Sequence, residues 1–243
     1  MKNKTCIVLW SKGMDSTVCL WVASKKFKDV IALKIFYGQK CREEMRPWGT
    51  ALPKNVKVKD IDYNLNFCNS SLVRSSEDVK RSRELSSKIP RTFMPCRNLI
   101  FLTLAAAYGY PDIVDIFIGT NTIDYSGYSD CRSNFLYHAE NTISLALDKK
   151  VKIHRPLQQL SKADIIKWGI DLGVDFANTV SCYNPSFGVP CFIPPLKVSS
   201  KMSLEELQKD PVGCESCVIR CKAFNKLKMV DPLLTRLRKE GLI

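Results

Sequence analysis

Between Cys6 and Thr17 the sequence Cys-Ile-Val-Leu-Trp-Ser-Lys-Gly-Met-Asp-Ser-Thr runs from apolar residues into a small polar turn. An amphipathic stretch, Ser16 to Phe27, follows at once. A buried strand, a tight turn and a helix in that order commit a chain to α/β layer packing. They also make an anion site, because unpaired backbone N–H groups and the positive end of the helix converge at the turn. Ser11, Ser16 and Thr17 add hydroxyls there and Lys12 adds a cation. The turn is neither G-x-x-x-x-G-K-[ST] nor G-x-G-x-x-G. Strand–turn–helix units also occur in α/β proteins that bind nothing at that point, so the turn by itself predicts a phosphate, and a nucleotide, without fixing which.

The rest of the chain continues the alternation. Val30–Phe36, an apolar run with one lysine, reads as a second strand ending at the turn Tyr37-Gly38-Gln39, and Lys40 to about Thr50 is charged and helix-like. Val56–Ile61 alternates in period two, as a half-buried edge strand does. Asn69–Pro90 is polar and serine-rich and is expected to be a surface loop with a short helix. Asn98–Tyr108 reads as a buried helix with Pro95 near its first turn. Ile113–Ile118 reads as a central strand, Phe135–Leu147 as a helix and Val151–Ile153 as a short strand. Ser161 caps a helix that runs to Leu172 with Gly173 beyond it. Gly188–Asp210 looks irregular except for a turn of helix at Leu204–Gln208, and a basic amphipathic helix, Val218–Lys228, precedes a short terminal one. The expected fold is a doubly wound, mostly parallel sheet flanked by helices. An α/β domain spans residues 1–176, and a small C-terminal helical region spans 177–243.

Composition narrows the class. The 243 residues are 45% hydrophobic and 25% charged, an ordinary globular balance. No apolar run reaches about 18 residues, so no membrane span is predicted, and a cytoplasmic location is expected. The formal charge of +13 suits an anionic partner. The basic residues are spread out, however, and the densest group is seven against two acidic ones in Val218–Ile243. Charge alone therefore does not establish nucleic-acid binding.

Eleven cysteines are many for a reducing compartment. Cys6, Cys19 and Cys96 sit in apolar stretches and read as core residues. Cys182, Cys191, Cys214, Cys217 and Cys221 fall within 40 residues. Cys214-Glu215-Ser216-Cys217 is a C-x-x-C knuckle, and Cys182 and Cys191 supply two further thiolates for a tetrahedral Zn²⁺ site. Cys221, one helical turn past Cys217, is then left out. The competing readings are five unrelated thiols or an iron–sulfur cluster.

Taken together these residues resemble one family. The loop is similar to the S-G-G-x-D-S loop of the PP-loop ATP pyrophosphatases (HUP-like folds), with Lys12 where that loop has its first glycine. Within that superfamily the chain resembles the QueC-type 7-cyano-7-deazaguanine synthases along nearly its whole length. The match rests on Ser11–Thr17, Tyr37-Gly38-Gln39, Asn69-Ser70-Ser71-Leu72, Pro95-Cys96-Arg97-Asn98 and Ile118-Gly119-Thr120-Asn121. It continues through Asp124-Tyr125-Ser126-Gly127-Tyr128, Asp130-Cys131-Arg132, Ser181-Cys182-Tyr183 and Cys214–Cys217.

The resemblance implies an ATP-dependent ligase that joins 7-carboxy-7-deazaguanine to ammonia and dehydrates the resulting amide to the nitrile. It implies ATP, Mg²⁺ and Zn²⁺ as cofactors and a homodimer as the assembly, with no membrane and no required nucleic acid. Ser11, Lys12, Gly13, Met14, Asp15, Ser16 and Thr17, with Tyr37, Gly38 and Gln39, are the expected nucleotide site. Asp15, Ser16, Lys12 and Arg97 carry the catalytic expectation, Asp15 together with Mg²⁺ and Arg97 as the stabiliser of transferred phosphate. Tyr125 and Tyr128 are expected to stack on the heterocycle, Asp124 or Asp130 to accept its N–H groups, and Arg132 to pair with its carboxylate. Cys182, Cys191, Cys214 and Cys217 are the metal ligands.

Three departures from the family pattern stand out: Lys12, Cys41 in place of the histidine of Tyr-Gly-Gln-x-His, and 22 residues between Cys191 and Cys214 where the family has two. The insertion, about 192–213, is tolerable because loop closure costs grow slowly with length. His138 and His154 read as structural. Competing functions are a variant that stops at the amide or passes the activated acid to another amine, a PP-loop enzyme that modifies tRNA directly, and a non-catalytic nucleotide-binding zinc module.

Overall fold

The structure, a computed structural model, describes residues 4–41, 51–73, 79, 81–82, 91–121, 128–186 and 188–243. Five strands, β1 (Thr5–Leu9), β2 (Asp29–Phe36), β3 (Val56–Asp62), β4 (Asp115–Phe117) and β5 (Lys152–His154), form one sheet in the order β3-β2-β1-β4-β5. Every pairing in it is parallel. Eight α-helices are described: α1 (Met14–Lys26), α2 (Arg97–Gly109), α3 (Ser133–Ala146), α4 (Lys162–Leu172), α5 (Leu196–Ser199), α6 (Leu204–Lys209), α7 (Glu215–Lys226) and α8 (Pro232–Lys239).

The near-continuous apolar run of β1 exists because the strand is covered on both faces. Cys6 and Val8 point into a core shared with α1, α4 and α7, while Ile7 and Leu9 point into one shared with α2 and α3. Successive strand residues alternate faces, so a single apolar strand serves two cores. The chain winds outward from β1 through β2 to β3, then returns to place β4 and β5 on the other side. The crevice where the order reverses, at the carboxyl ends of β1 and β4, is where doubly wound sheets bind ligands.

Two strands differ from expectation. β3 is an edge strand, but Val58 is exposed along with Lys57, Lys59 and Asp60, so only Val56 and Ile61 are half-buried. β4 is shorter than Ile113–Ile118, because the Ile113 N–H is taken by Gly109 O at 2.7 Å in the turn that closes α2. It lies between β1 and β5, with Ile116 and Phe117 buried.

The expected surface loop after Asn69 also turns inward at its start. Ser70 and Ser71 are fully buried. Main-chain bonds from Ser71 N–H to Arg91 O (3.0 Å) and from Lys40 N–H to Leu72 O (2.9 Å) satisfy the backbone there. Residues 42–50, in the expected helix after Lys40, lie outside the described residues.

At the C-terminal end the insertion is folded. Phe192 and Leu207 are buried against Cys182, Cys191, Cys214 and Cys217, and α6 opens with a capping box between Ser203 and Glu206. The helix expected at Val218 starts three residues earlier, with Cys214 as its N-cap. Its basic character is partly internal. Arg220 is buried, paired with Asp231 through Nε–Oδ2 at 2.5 Å and Nη2–Oδ1 at 2.8 Å. Its remaining N–H groups donate to Phe176 O, Thr179 O and Oγ1, and Ser181 Oγ. One guanidinium thus ties α7 and α8 to the segment beside the β1–α1 turn. No described helix is long and apolar enough to cross a membrane.

Candidate active site

β1 ends at Leu9 and α1 begins at Met14, so the chain reverses over four residues. The turn is internally bonded before any ligand arrives. Ser16 Oγ accepts from Ser11 N–H (3.2 Å), donates to Gly13 O (3.1 Å) and lies 3.1 Å from Ser11 Oγ, which accepts from Gly13 N–H (3.3 Å). Such a loop needs little rearrangement to receive phosphate oxygens. Across it, Gly119 at the end of β4 approaches the backbone of Asp15 and Ser16 so closely that a Cβ would fall 2.9 Å from Asp15 C and Ser16 N. Only glycine fits.

A cavity of about 320 Å³ opens above this turn, at the carboxyl ends of β1, β2 and β4. Ser11, Gly13, Met14, Asp15 and Ser16 form its floor, and Lys162, the first residue of α4, closes one side. Lys162 Nζ lies 2.5 Å from Asp15 Oδ2, whereas Asp15 Oδ1 is buried with no hydrogen-bond partner. An unpaired buried carboxylate oxygen facing a phosphate cradle is what a Mg²⁺ ion requires, since this ion binds through one or two carboxylates plus phosphate and water.

The far wall is aromatic and cationic. Arg97 opens α2, its guanidinium 6.0 Å from the Tyr37 ring centroid. Burial works against its charge, but Tyr37, Asp130, Tyr128 and Tyr183 around it outweigh that and raise its pKa further. It is therefore a permanent cation in a ring of phenols. Tyr128 Oη shares a 2.7 Å hydrogen bond with Thr92 Oγ1 and another with the Tyr183 phenol. Burial raises the Tyr128 pKa, so it remains a neutral donor. On the β2 side Lys34, nearly buried in the strand, has its ammonium 5.1 Å from the Phe36 ring and 3.3 Å from Asp60 Oδ1.

Beside this wall the sulfurs of Cys182, Cys191, Cys214 and Cys217 all lie within 4.8 Å of one another, all four residues buried. The Cys191–Cys217 pair is 3.9 Å apart. A tetrahedral zinc with four thiolates has edges of about 3.8 Å, so the set fits Zn²⁺. Main-chain N–H groups already point at the sulfurs, from Cys191 to Cys182 (3.2 Å), Cys214 to Cys191 (3.1 Å) and Tyr183 to Cys214 (3.5 Å). Such donors orient and stabilise thiolate ligands. Hydrogen bonds from Cys182, Cys214 and Cys217 hold Cys191 toward its thiolate. None of the eleven cysteines is in a disulfide, and Cys221, buried nearby, is not one of the four.

This geometry is matched by known proteins. Residues 5–228 fit the model of the family "Queuosine biosynthesis protein QueC". The chain belongs to the QueC family. It is 36% identical over 243 residues to the 7-cyano-7-deazaguanine synthase of Syntrophotalea carbinolica, covering 95% of this chain and 96% of that one. It is equally similar to the synthases of Myxococcus xanthus (94% and 96% covered) and Thermoplasma volcanium (95% and 90%). The QueC family comprises ATP-dependent carbon–nitrogen ligases, and this member is an enzyme of queuosine-type biosynthesis.

The QueC residues expected from sequence divide into three groups. Ser11, Gly13, Met14, Asp15, Ser16, Tyr37, Gln39, Arg97 and Tyr128 line the one cavity. Lys12, Thr17, Gly38, Asp130 and Arg132 do not. Lys12 sits at φ +60°, and its buried side chain carries the ammonium 5.8 Å from the Trp10 ring. Thr17 Oγ1 accepts from Trp10 Nε1 at 3.1 Å. Gly38 makes the turn after β2 at φ +86°, where a Cβ would collide with Asn66.

The substrate expectations for Asp130 and Arg132 are corrected. Asp130 Oδ2 accepts from Asn98 N–H (3.1 Å) at the start of α2, and Arg132 is exposed at the head of α3. Arg97 is the arginine in the wall. Asp124 and Tyr125 lie outside the described residues.

Sequence reasoning missed Lys162, which read only as part of a helix cap. It passed over Lys34, although a lysine inside an apolar strand was a signal. Cys41, one of the departures from the QueC pattern, is buried in the cavity wall.

Proposed function

We propose that the chain joins 7-carboxy-7-deazaguanine to ammonia at the expense of ATP, passes through the amide, and dehydrates it to 7-cyano-7-deazaguanine. The observation that carries this reading is that one cavity runs from the turn at the head of α1 to Arg97 among its phenols. A triphosphate and a flat aromatic acid are the two ligands those ends suit. The names of the curated relatives agree with it.

A carboxylate resists nucleophiles because of its charge and because oxide is a poor leaving group. Arg97 pairs with the acid and offsets its charge. One carboxylate oxygen attacks the α-phosphorus, and the bond to pyrophosphate breaks. The hydroxyls of Ser11 and Ser16 and the first-turn N–H groups of α1 take up the charge on the departing pyrophosphate. Asp15 would hold Mg²⁺, which supplies further neutralisation of phosphate charge, and Lys162 fixes the Asp15 carboxylate in place. Ammonia then attacks the acyl carbon, AMP leaves with the acid oxygen, and nitrogen loses a proton. A second activation places AMP on the amide oxygen, and loss of AMP with the remaining N–H protons leaves the nitrile. The four cysteines would hold Zn²⁺ as a structural centre.

Cys41 in the wall favours one variant, a reaction that halts at the amide for want of the family's histidine. Protein incubated with ATP, Mg²⁺, ammonium and 7-carboxy-7-deazaguanine should give the nitrile by mass spectrometry. Amide alone would establish the halted reaction, and unreacted acid alone would overturn the ligase reading.

A further inference from the structure

Two of the four clustered cysteines are chain neighbours of residues that wall the cavity. Tyr183 follows Cys182 and Ser216 precedes Cys217, and both line it. Tyr183 is held to the cluster twice, by its covalent neighbour and by its own N–H directed at Cys214 Sγ (3.5 Å). Its phenol reaches outward and hydrogen-bonds the phenol of Tyr128, which bonds Thr92 in turn. Tyr128 also lies against Phe93, ring centroids 6.3 Å apart, and both tyrosines face Arg97. A continuous path therefore runs from the sulfur cluster to the cationic end of the cavity. A hydroxyl carries one proton, so a chain of hydroxyls is ordered end to end only while each member is held.

We propose that Tyr183 is a positioning residue through which the four-cysteine centre sets the grip of the cavity on the acid substrate. With the four sulfurs drawn onto one ion, the Tyr183 backbone is fixed and its phenol holds Tyr128 beside Arg97. When the sulfurs separate, Tyr128 loses that support and the wall facing the heterocyclic acid loosens, while the phosphate end, built on β1, α1 and β4, is unaffected. The metal centre then tunes one ligand and not the other. This rests on assigning the aromatic end of the cavity to the acid.

The test is Tyr183→Phe in the zinc-loaded protein, which removes one hydroxyl and keeps the ring. Zinc content and melting temperature should match the parent. Titration calorimetry should show 7-carboxy-7-deazaguanine binding weakened about tenfold, the value of one buried hydrogen bond with its partner left unpaired, with ATP binding unchanged. Tyr128→Phe should weaken the acid similarly, and the double variant should be no worse than either single one. Acid binding unchanged with zinc retained would overturn the proposal. So would joint loss of zinc, acid and ATP binding, which marks a residue needed only for folding.

Amide hydrogen exchange provides a substrate-independent arm. Exchange at residues 128–132 should rise when zinc is chelated from the parent, and should already be raised in zinc-loaded Tyr183→Phe. If the parent fails to bind the acid yet shows that coupled exchange, the substrate assignment falls and the positioning role stands.

Discussion

Lys162 Nζ lies 2.5 Å from Asp15 Oδ2, joining the head of α4 to the first turn of α1 across 147 residues of sequence. The pair leaves Asp15 Oδ1 open toward the cavity, so the lysine aims a carboxylate as well as neutralising it. Lys162→Met should lower the turnover rate by about 100-fold, the scale of losing one preorganised electrostatic group. Asp15→Ala should abolish turnover, and zinc content should stay intact in both. Pyrophosphate release measures the first effect; a rate close to the parent would remove Lys162 from the site.

Lys12 occupies a left-handed backbone position, φ +60°, at a cost of roughly 1–2 kcal/mol for a residue with a Cβ. Its ammonium lies against Trp10 rather than along the cavity. Lys12→Gly should therefore leave the KM for ATP nearly unchanged. Stability should shift little, because relief of strain is offset by the lost packing on Trp10 and by glycine's greater freedom in the unfolded chain. A KM raised tenfold or more would restore the phosphate contact expected from sequence.

These two lysines show what the sequence could and could not convey. The turn Ser11–Ser16 and the four cysteines were legible because their chemistry is local: a loop hands its N–H groups to one point, and C-x-x-C spacing fixes two ligands at once. Lys162 was not legible, because its partner is brought to it only when α4 packs on α1. Arg220 read as a basic surface residue for the same reason, its acceptors lying on α8 and on Phe176–Ser181. Asp130 and Arg132 were misassigned because adjacency to Tyr128 in sequence says nothing of direction, and the turn at Ser129–Cys131 points their side chains away from the cavity. The order of strands followed from alternation, whereas the exposure of Val58 did not, since it depends on what covers the sheet edge.

The buried Arg220–Asp231 pair should be strongly asymmetric to mutation. Asp231→Asn or Arg220→Met strands a buried charge or its partners, and each should cost about 3–5 kcal/mol in urea unfolding. The double variant Arg220→Met/Asp231→Leu should be less damaged than either single one, because no unpaired charge remains. Additive losses would show that the contacts of Arg220 with Thr179 and Phe176, rather than the ion pair, dominate.

Alkaline pH should destabilise the fold through its buried thiols. Burial, with Asp115 adding to it, pushes the Cys6 thiol up to about 12, and burial pushes Cys131 up to about 11, against an ordinary value of 9.0. The native state thus keeps protons that the unfolded chain releases above pH 9. Where the native state binds more protons, stability falls as pH rises. The contribution is complete below about pH 9 and is lost progressively as pH climbs toward the native values of these thiols. The melting temperature should be level from about pH 7 to 8.5 and fall beyond that. Cys6→Ala should weaken the fall, at the expense of some packing at all pH values. Cys6 in the native protein should also resist a thiol reagent at neutral pH, and rapid labelling there would contradict its burial.

Removing the metal should act on the C-terminal region first. The four sulfurs hold Cys182, Cys191 and the start of α7 together, and Phe192 and Leu207 pack on them. Four thiolates brought within 4.8 Å repel one another without a cation, and binding free energy at such a site is folding free energy. The purified protein should carry one zinc per chain. A chelator should lower the melting temperature and expose α7 and α8 to protease before β1 and α1, because the sheet core is built from a separate set of side chains. Cys217→Ser should reproduce the effect and Cys221→Ser should not, since Cys221 lies outside the four. Equal loss of zinc in both variants would mean that Cys221 shares in the site.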